Sequence, residues 1–157
     1  MANRAAKQNP ALHALSAIVG EWTTSGSHPL VPGVTLHGRT SFLWIEGGAF
    51  LRMESELDDR RFPNGIAIIG SDDNAGTLYM LYFDERGVSR KYNVEVDEDE
   101  QGWRWWRDDP KLAQRFKVTI EDGGNKMVGK GEMAKDGGEW EGDLDLTYTR
   151  LDKSGPT

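Results

Sequence analysis

The chain has 157 residues, no cysteine and a formal charge of −7, from 26 acidic and 19 basic side chains. Its length suits one domain, and the lack of thiols excludes disulfides, thiolate metal sites and cysteine nucleophiles. The acidic charge argues against nucleic acid and anionic membranes as partners, because both bind through neutralisation of phosphate groups. With no apolar run of signal-peptide or membrane-span length, the sequence predicts a cytoplasmic protein.

Residues 10–19 predict one short amphipathic helix, because apolar side chains recur at helical spacing between Pro10 and Gly20. From residue 21 onward the apolar residues alternate with a period of two, and nine clusters of turn residues interrupt them. Nine turns imply ten strands. We expect residues 1–9 and 152–157 to be flexible ends of a single domain.

Alternation separates two faces in the clearest strands, since successive side chains of a strand point to opposite sides. In the last strand, the face opposite the acidic side chains is predicted to hold Trp140, Gly142, Leu144, Leu146, Tyr148 and Arg150. In the second strand, the inner face is predicted to hold Val34, Leu36, Gly38, Thr40, Phe42 and Trp44, with His37 and Arg39 outside. Both faces of 78–83 are apolar, so the pattern leaves the orientation of that strand open.

Ten meandering antiparallel strands with one polar face favour an all-β fold, a closed up-and-down β-barrel, because an open sheet would leave two exposed edges. A two-sheet sandwich is the alternative. A barrel of more than about eight strands cannot fill its interior with side chains and tends to enclose a cavity. The predicted function is therefore binding inside the barrel.

Three residues carry a resemblance to a known group of barrels. Gly20 and Trp22 follow the helix, and Arg150 closes the last strand. This arrangement resembles the calycin superfamily, which includes lipocalins and fatty-acid-binding proteins. The resemblance implies that Trp22 packs across the barrel base while Arg150 lies over its ring and donates hydrogen bonds to backbone carbonyls. The ten strands and the segment 47–52 look closer to nitrobindin-like and bacterial lipocalin-like domains than to eight-stranded lipocalins.

Nitrobindin-like proteins hold haem through a histidine late in the chain, and this sequence departs from that pattern. Its three histidines are His13, His28 and His37. We therefore expect no haem, although Tyr148 is a conceivable axial ligand. If His28 and His37 met across the first hairpin they would supply half a metal site, so no metal is predicted. Three scattered histidines support no Ser-His-Asp arrangement, and no catalytic residue is assigned.

Arg90 shares the predicted inner face with Tyr92, which places a permanent charge inside the barrel. A buried charge requires a carboxylate, water or an anionic ligand, so Arg90 with Tyr92 or Tyr148 could hold a ligand carboxylate. Among Trp103, Trp105 and Trp106 we expect core packing and one exposed indole. The predicted ligand-binding residues are Phe42, Trp44, Arg90, Tyr92, Trp105 and Tyr148, and the predicted structural residues of barrel closure are Gly20, Trp22 and Arg150.

The expected partner is a small apolar or amphipathic molecule, and the sequence leaves a homodimer open. Two alternatives remain at this stage. One is a haem protein or enzyme of nitrobindin type, and the other is a structural or interaction module that acts through its outer surface.

Overall fold

The computed structural model describes residues 9–151, so the predictions for residues 1–8 and 152–157 lie outside the described residues. Ten antiparallel strands close into one barrel, in which each strand pairs with its neighbours in sequence and β1 pairs with β10. The predicted fold class is confirmed. The strands are β1 (Gly20–Ser27), β2 (Leu36–Ile45), β3 (Phe50–Leu57), β4 (Gly65–Ser71), β5 (Leu78–Asp84), β6 (Ser89–Val96), β7 (Gly102–Asp108), β8 (Leu112–Glu121), β9 (Lys126–Lys135) and β10 (Glu141–Arg150).

The predicted N-terminal helix is present, but it is a 3-10 helix over Pro10–Ile18. Its buried side chains Leu12, Leu15 and Ile18 are three residues apart, which places them on one line of a helix with three residues per turn. The Asn9 side chain accepts a hydrogen bond from the Ala11 amide and caps the first turn. In the described part of the chain, no helix has the length and apolar character needed to cross a bilayer.

Short 3-10 turns also connect β2 to β3 (Glu46–Gly48) and β8 to β9 (Asp122–Gly124). Each places an acidic residue and two glycines at positive φ. These two connections lie at the same end of the barrel, because β2 and β8 run in the same direction in this alternating antiparallel order and each connection follows one of them. This end also receives the N-terminal helix and the end of β10.

The observed register corrects two predictions about the inner face. Val34 precedes β2 and is exposed. Trp140 precedes β10 and is 38% exposed, with the Arg115 guanidinium 3.8 Å from its ring centroid. The pairing of β10 with β9 shifts register between Gly142 and Asp145, so the alternation of the rest of β10 does not extend back to Trp140.

Burial shows which face of β5 points into the barrel, which the sequence pattern left open. Met80 is buried and Tyr82 faces the cavity, whereas Leu81 and Phe83 are exposed on the outer wall. Both faces of this strand are apolar, so only its pairing with β4 and β6 determines which one is inside. His37 and Arg39 lie outside as predicted.

The end of the barrel beneath the N-terminal helix is sealed by Arg150. Its guanidinium carbon lies 4.2 Å from the centroid of the Trp22 ring, as the resemblance implied. The guanidinium donates hydrogen bonds to the backbone carbonyls of Ala17, Val19 and Gly124 at 2.6 to 3.2 Å. Gly20 makes room for this group: a Cβ there would come within 2.7 Å of Arg150 Nη1. We call this end the closed end.

Candidate ligand-binding site

A cavity of about 410 Å³ opens toward the end of the barrel opposite Arg150. Its mouth includes residues from the β1–β2, β3–β4 and β5–β6 connections, among them Leu30, Phe62 and Arg86. This volume lies within the usual range of small-molecule sites, about 300–1,000 Å³. The cavity is therefore large enough for a small organic molecule.

The structure brings four of the six predicted ligand-binding residues to the cavity wall: Arg90, Tyr92, Trp105 and Tyr148. Phe42 and Trp44 do not lie on it. Phe42 is buried, with its ring edge-on to Trp103 at a centroid distance of 5.9 Å, and Trp44 packs against the same core. Both lie in the half of β2 near the closed end. Alternation shows which side chains point inward, but not how far along the barrel axis each one lies.

The polar part of the wall is formed by β6 and β8. The Tyr92 hydroxyl donates a 2.8 Å hydrogen bond to Gln114 Oε1, and Arg90 Nη1 donates a 3.4 Å bond to the same oxygen. Burial raises the pKa of Tyr92, so its hydroxyl stays protonated near neutral pH. The sequence analysis missed Gln114. A polar residue on the inward face of Phe116 and Val118 was the available signal.

Arg90 differs from the other arginines that line the cavity. Arg61 pairs with Asp59 at 2.6 Å, Arg86 with Asp84 at 2.7 Å and Arg115 with Glu132 at 2.8 Å. Within residues 9–151, no carboxylate lies within ion-pair distance of Arg90. Its hydrogen-bond acceptor is the neutral amide of Gln114. The wall thus presents one guanidinium whose charge is not balanced by a neighbouring carboxylate.

Aromatic rings form a continuous part of the wall. Trp105 stacks on Phe116 with a centroid distance of 4.5 Å and an interplanar angle of 23°. Trp103, which is fully buried, lies 5.0 Å from Trp105 on the side of the closed end. Trp106 faces outward beneath the Arg104 guanidinium. The expected division of these tryptophans between core and exterior is therefore present, although Trp106 is only partly exposed.

Two hydroxyl groups at the side of the cavity nearest the closed end have no hydrogen-bond partner within residues 9–151. Tyr148 is 4% exposed, and its hydroxyl makes no hydrogen bond to any group in residues 9–151. Thr24 is its Cα partner across the β1–β10 pair, and the Thr24 hydroxyl is also buried without a partner. Burial raises the pKa of Tyr148, so this hydroxyl remains a hydrogen-bond donor at neutral pH.

His28 lies at the mouth and contacts Asp143. Half a metal site formed with His37 would have required a contact between the two histidines instead. His28 Nε2 is 2.8 Å from Asp143 Oδ1, and His28 Nδ1 accepts a 3.0 Å hydrogen bond from the Leu30 amide. The His28 side chain is only 9% exposed. Both ring nitrogens are engaged, and the cavity wall holds no other histidine. The residues present therefore do not fit a haem held by an axial imidazole.

No protein-family model and no curated protein matches this sequence. Among solved structures, the chain is similar to Rv2717c from M. tuberculosis, with a TM-score of 0.70 and 13% sequence identity. The similarity covers 93% of this chain and 100% of that one. At this identity, the similarity shows a shared fold.

Proposed function

We propose that this protein is a calycin-like barrel that binds a small amphipathic molecule in its cavity, with an anionic group of the ligand paired to Arg90. The observation that carries this proposal is the guanidinium of Arg90 on the cavity wall without a carboxylate partner in the described chain. The other cavity arginines pair with carboxylates of the protein, so their charges are already balanced.

The free-energy cost of partly burying the Arg90 cation favours an anionic ligand over a purely apolar one. A partly buried cation loses hydration, and a single neutral acceptor restores only part of that loss. A ligand carboxylate or sulfonate would accept from the N–H groups of the Arg90 guanidinium that Gln114 does not use, with charge-assisted bonds about twice as strong as neutral ones. The apolar remainder of the ligand would lie against Trp105 and Phe116.

Two fluorescent probes of the same aromatic skeleton test this proposal. 1-Anilinonaphthalene-8-sulfonate carries an anionic group, and N-phenyl-1-naphthylamine lacks it. We expect Arg90→Met to weaken binding of the sulfonate at least tenfold, since a hydrogen bond to a charged group contributes about 1.5–3 kcal/mol. Binding of the neutral probe should change less than twofold.

Arg61→Met is the matched control, because Arg61 also lines the cavity, at its mouth, but pairs with Asp59. It should leave the affinity for both probes within about twofold. An equal loss of sulfonate affinity in both variants, or a sulfonate affinity that does not depend on Arg90, would show that Arg90 does not bind the anionic group of the ligand.

A further inference from the structure

The cavity wall has a second polar group, the Tyr148 hydroxyl, which an anion bound at Arg90 would not contact. Arg90 is the second residue of β6 and lies near the mouth, whereas Tyr148 is two residues from the closed end of β10. The Tyr148 side chain is 96% buried, lines the cavity and has no hydrogen-bond partner in the described chain. The Thr24 hydroxyl, across the β1–β10 pair from Tyr148, is buried without a partner in the described chain.

A flat aromatic wall connects the two polar groups. Gln114, which contacts Arg90, is two residues before Phe116 on the same face of β8, so the two side chains start about 7 Å apart. The Phe116 ring lies directly over Gly129, where the ring of Tyr148 also approaches: a Cβ there would meet both rings. Trp105 stacks on Phe116 from the other side.

We infer that the ligand is a flat aromatic acid with a second oxygen at the end remote from its acidic group, and that the Tyr148 hydroxyl binds this oxygen. This inference rests on the proposed function, since it assumes that Arg90 binds the acidic group. A ligand whose far end is a saturated chain would cover the Tyr148 hydroxyl without offering it an acceptor, which costs free energy. A hydroxyl or carbonyl oxygen satisfies it.

Biphenyl-4-carboxylate and 4′-hydroxybiphenyl-4-carboxylate form a suitable pair of probes, because they differ only in the remote oxygen. Isothermal titration calorimetry of the wild-type protein should show that the hydroxy acid binds about five- to tenfold more tightly, as one neutral hydrogen bond would give. Tyr148→Phe should remove this preference and leave the affinity for biphenyl-4-carboxylate unchanged. Tyr79→Phe, on the outer face of β5, is the matched control and should retain the preference.

The outcomes separate the two proposals. If both acids bind equally to the wild type and Arg90→Met weakens both, anion binding stands and the role of Tyr148 is overturned. If neither acid binds while the sulfonate still binds through Arg90, the proposed function stands and the inference about the aromatic acid is overturned. A loss of affinity for both acids in Tyr148→Phe would assign this residue a packing role and also overturn the inference. The preference in the wild type is measured without any variant, so the test does not depend on the folding of Tyr148→Phe.

Discussion

Replacing Arg150 by methionine should destabilise the protein strongly, because methionine keeps an apolar stem but provides no donor. The carbonyls of Val19 and Gly124 are partly buried, and each loses a hydrogen bond to a charged group, which contributes about 1.5 kcal/mol at the lower end of the usual range. The carbonyl of Ala17 is exposed and water can replace its donor. Loss of the cation over the Trp22 ring adds about 1 kcal/mol.

These contributions give an expected loss of about 4 kcal/mol in the free energy of unfolding, measured by urea denaturation. At about 2–4 °C per kcal/mol for a domain of this size, the melting temperature should fall by about 10 °C. Arg150→Lys should lose about half as much, since lysine keeps the charge but not the planar arrangement of donors. Neither variant should change the affinity for 1-anilinonaphthalene-8-sulfonate, because Arg150 lies outside the cavity.

Arg104→Met provides a matched control on the outer wall. Arg104 also lies over a tryptophan, with its guanidinium carbon 4.4 Å from the Trp106 ring centroid, and it pairs with Glu95. Both charges are exposed, so its loss should cost less than about 1 kcal/mol. The reasoning about the closed end would be refuted if Arg150→Met cost no more than Arg104→Met.

Two further changes probe the open half of the barrel. Asp84→Asn should cost about 2 kcal/mol, because this buried carboxylate pairs with Arg86. The hydrogen bonds from Arg86 hold the Asp84 pKa well below its unfolded value of about 3.9, so the stability gap should be constant above pH 5 and narrow progressively as the pH falls below about 4. A gap in urea midpoints that is as large at pH 2.5 as at pH 7 would contradict this. Gly129→Ala should cost about 2 kcal/mol and weaken sulfonate binding, because the new methyl group overlaps the Phe116 ring, whereas Gly142→Ala, whose Cβ would meet an ordinary 3.7 Å contact, should cost under about 1 kcal/mol. Thermal melts that rank the two alanine variants equally would refute the clash at Gly129.

The sequence predicted the barrel well because its strands separate apolar from charged side chains so sharply. In β8, for example, Phe116 and Val118 alternate with Arg115 and Lys117, and the structure buries the first pair and exposes the second. Turn clusters then fixed the number of strands. The contact of Arg150 with the Trp22 ring could be predicted from the resemblance, since stacking of a guanidinium on an indole follows from the chemistry of the two side chains.

The candidate site was only partly predictable, because a period of two gives the direction of a side chain but not its height in the barrel. Phe42 was therefore grouped with Tyr92, although one fills the closed end and the other lines the cavity. The shared acceptor Gln114 depends on the pairing across β6, β7 and β8, which no single strand encodes. Trp140 was misplaced because an irregular pairing in β10 has no distinct sequence signal.

The pairing of β1 with β10 has a consequence for the order in which the molecule can assemble. Arg150 and Val19, which this seam brings into contact, are 131 residues apart in the chain. Contacts between such distant residues carry a large cost in chain entropy and form slowly. Every other strand pair can form as the chain is synthesised, but the free edge of β1 must wait for the final strand. Until then the open sheet has two unpaired edges, at which other chains could pair. Its protection from such association therefore depends on β10, the last ten residues of the sheet.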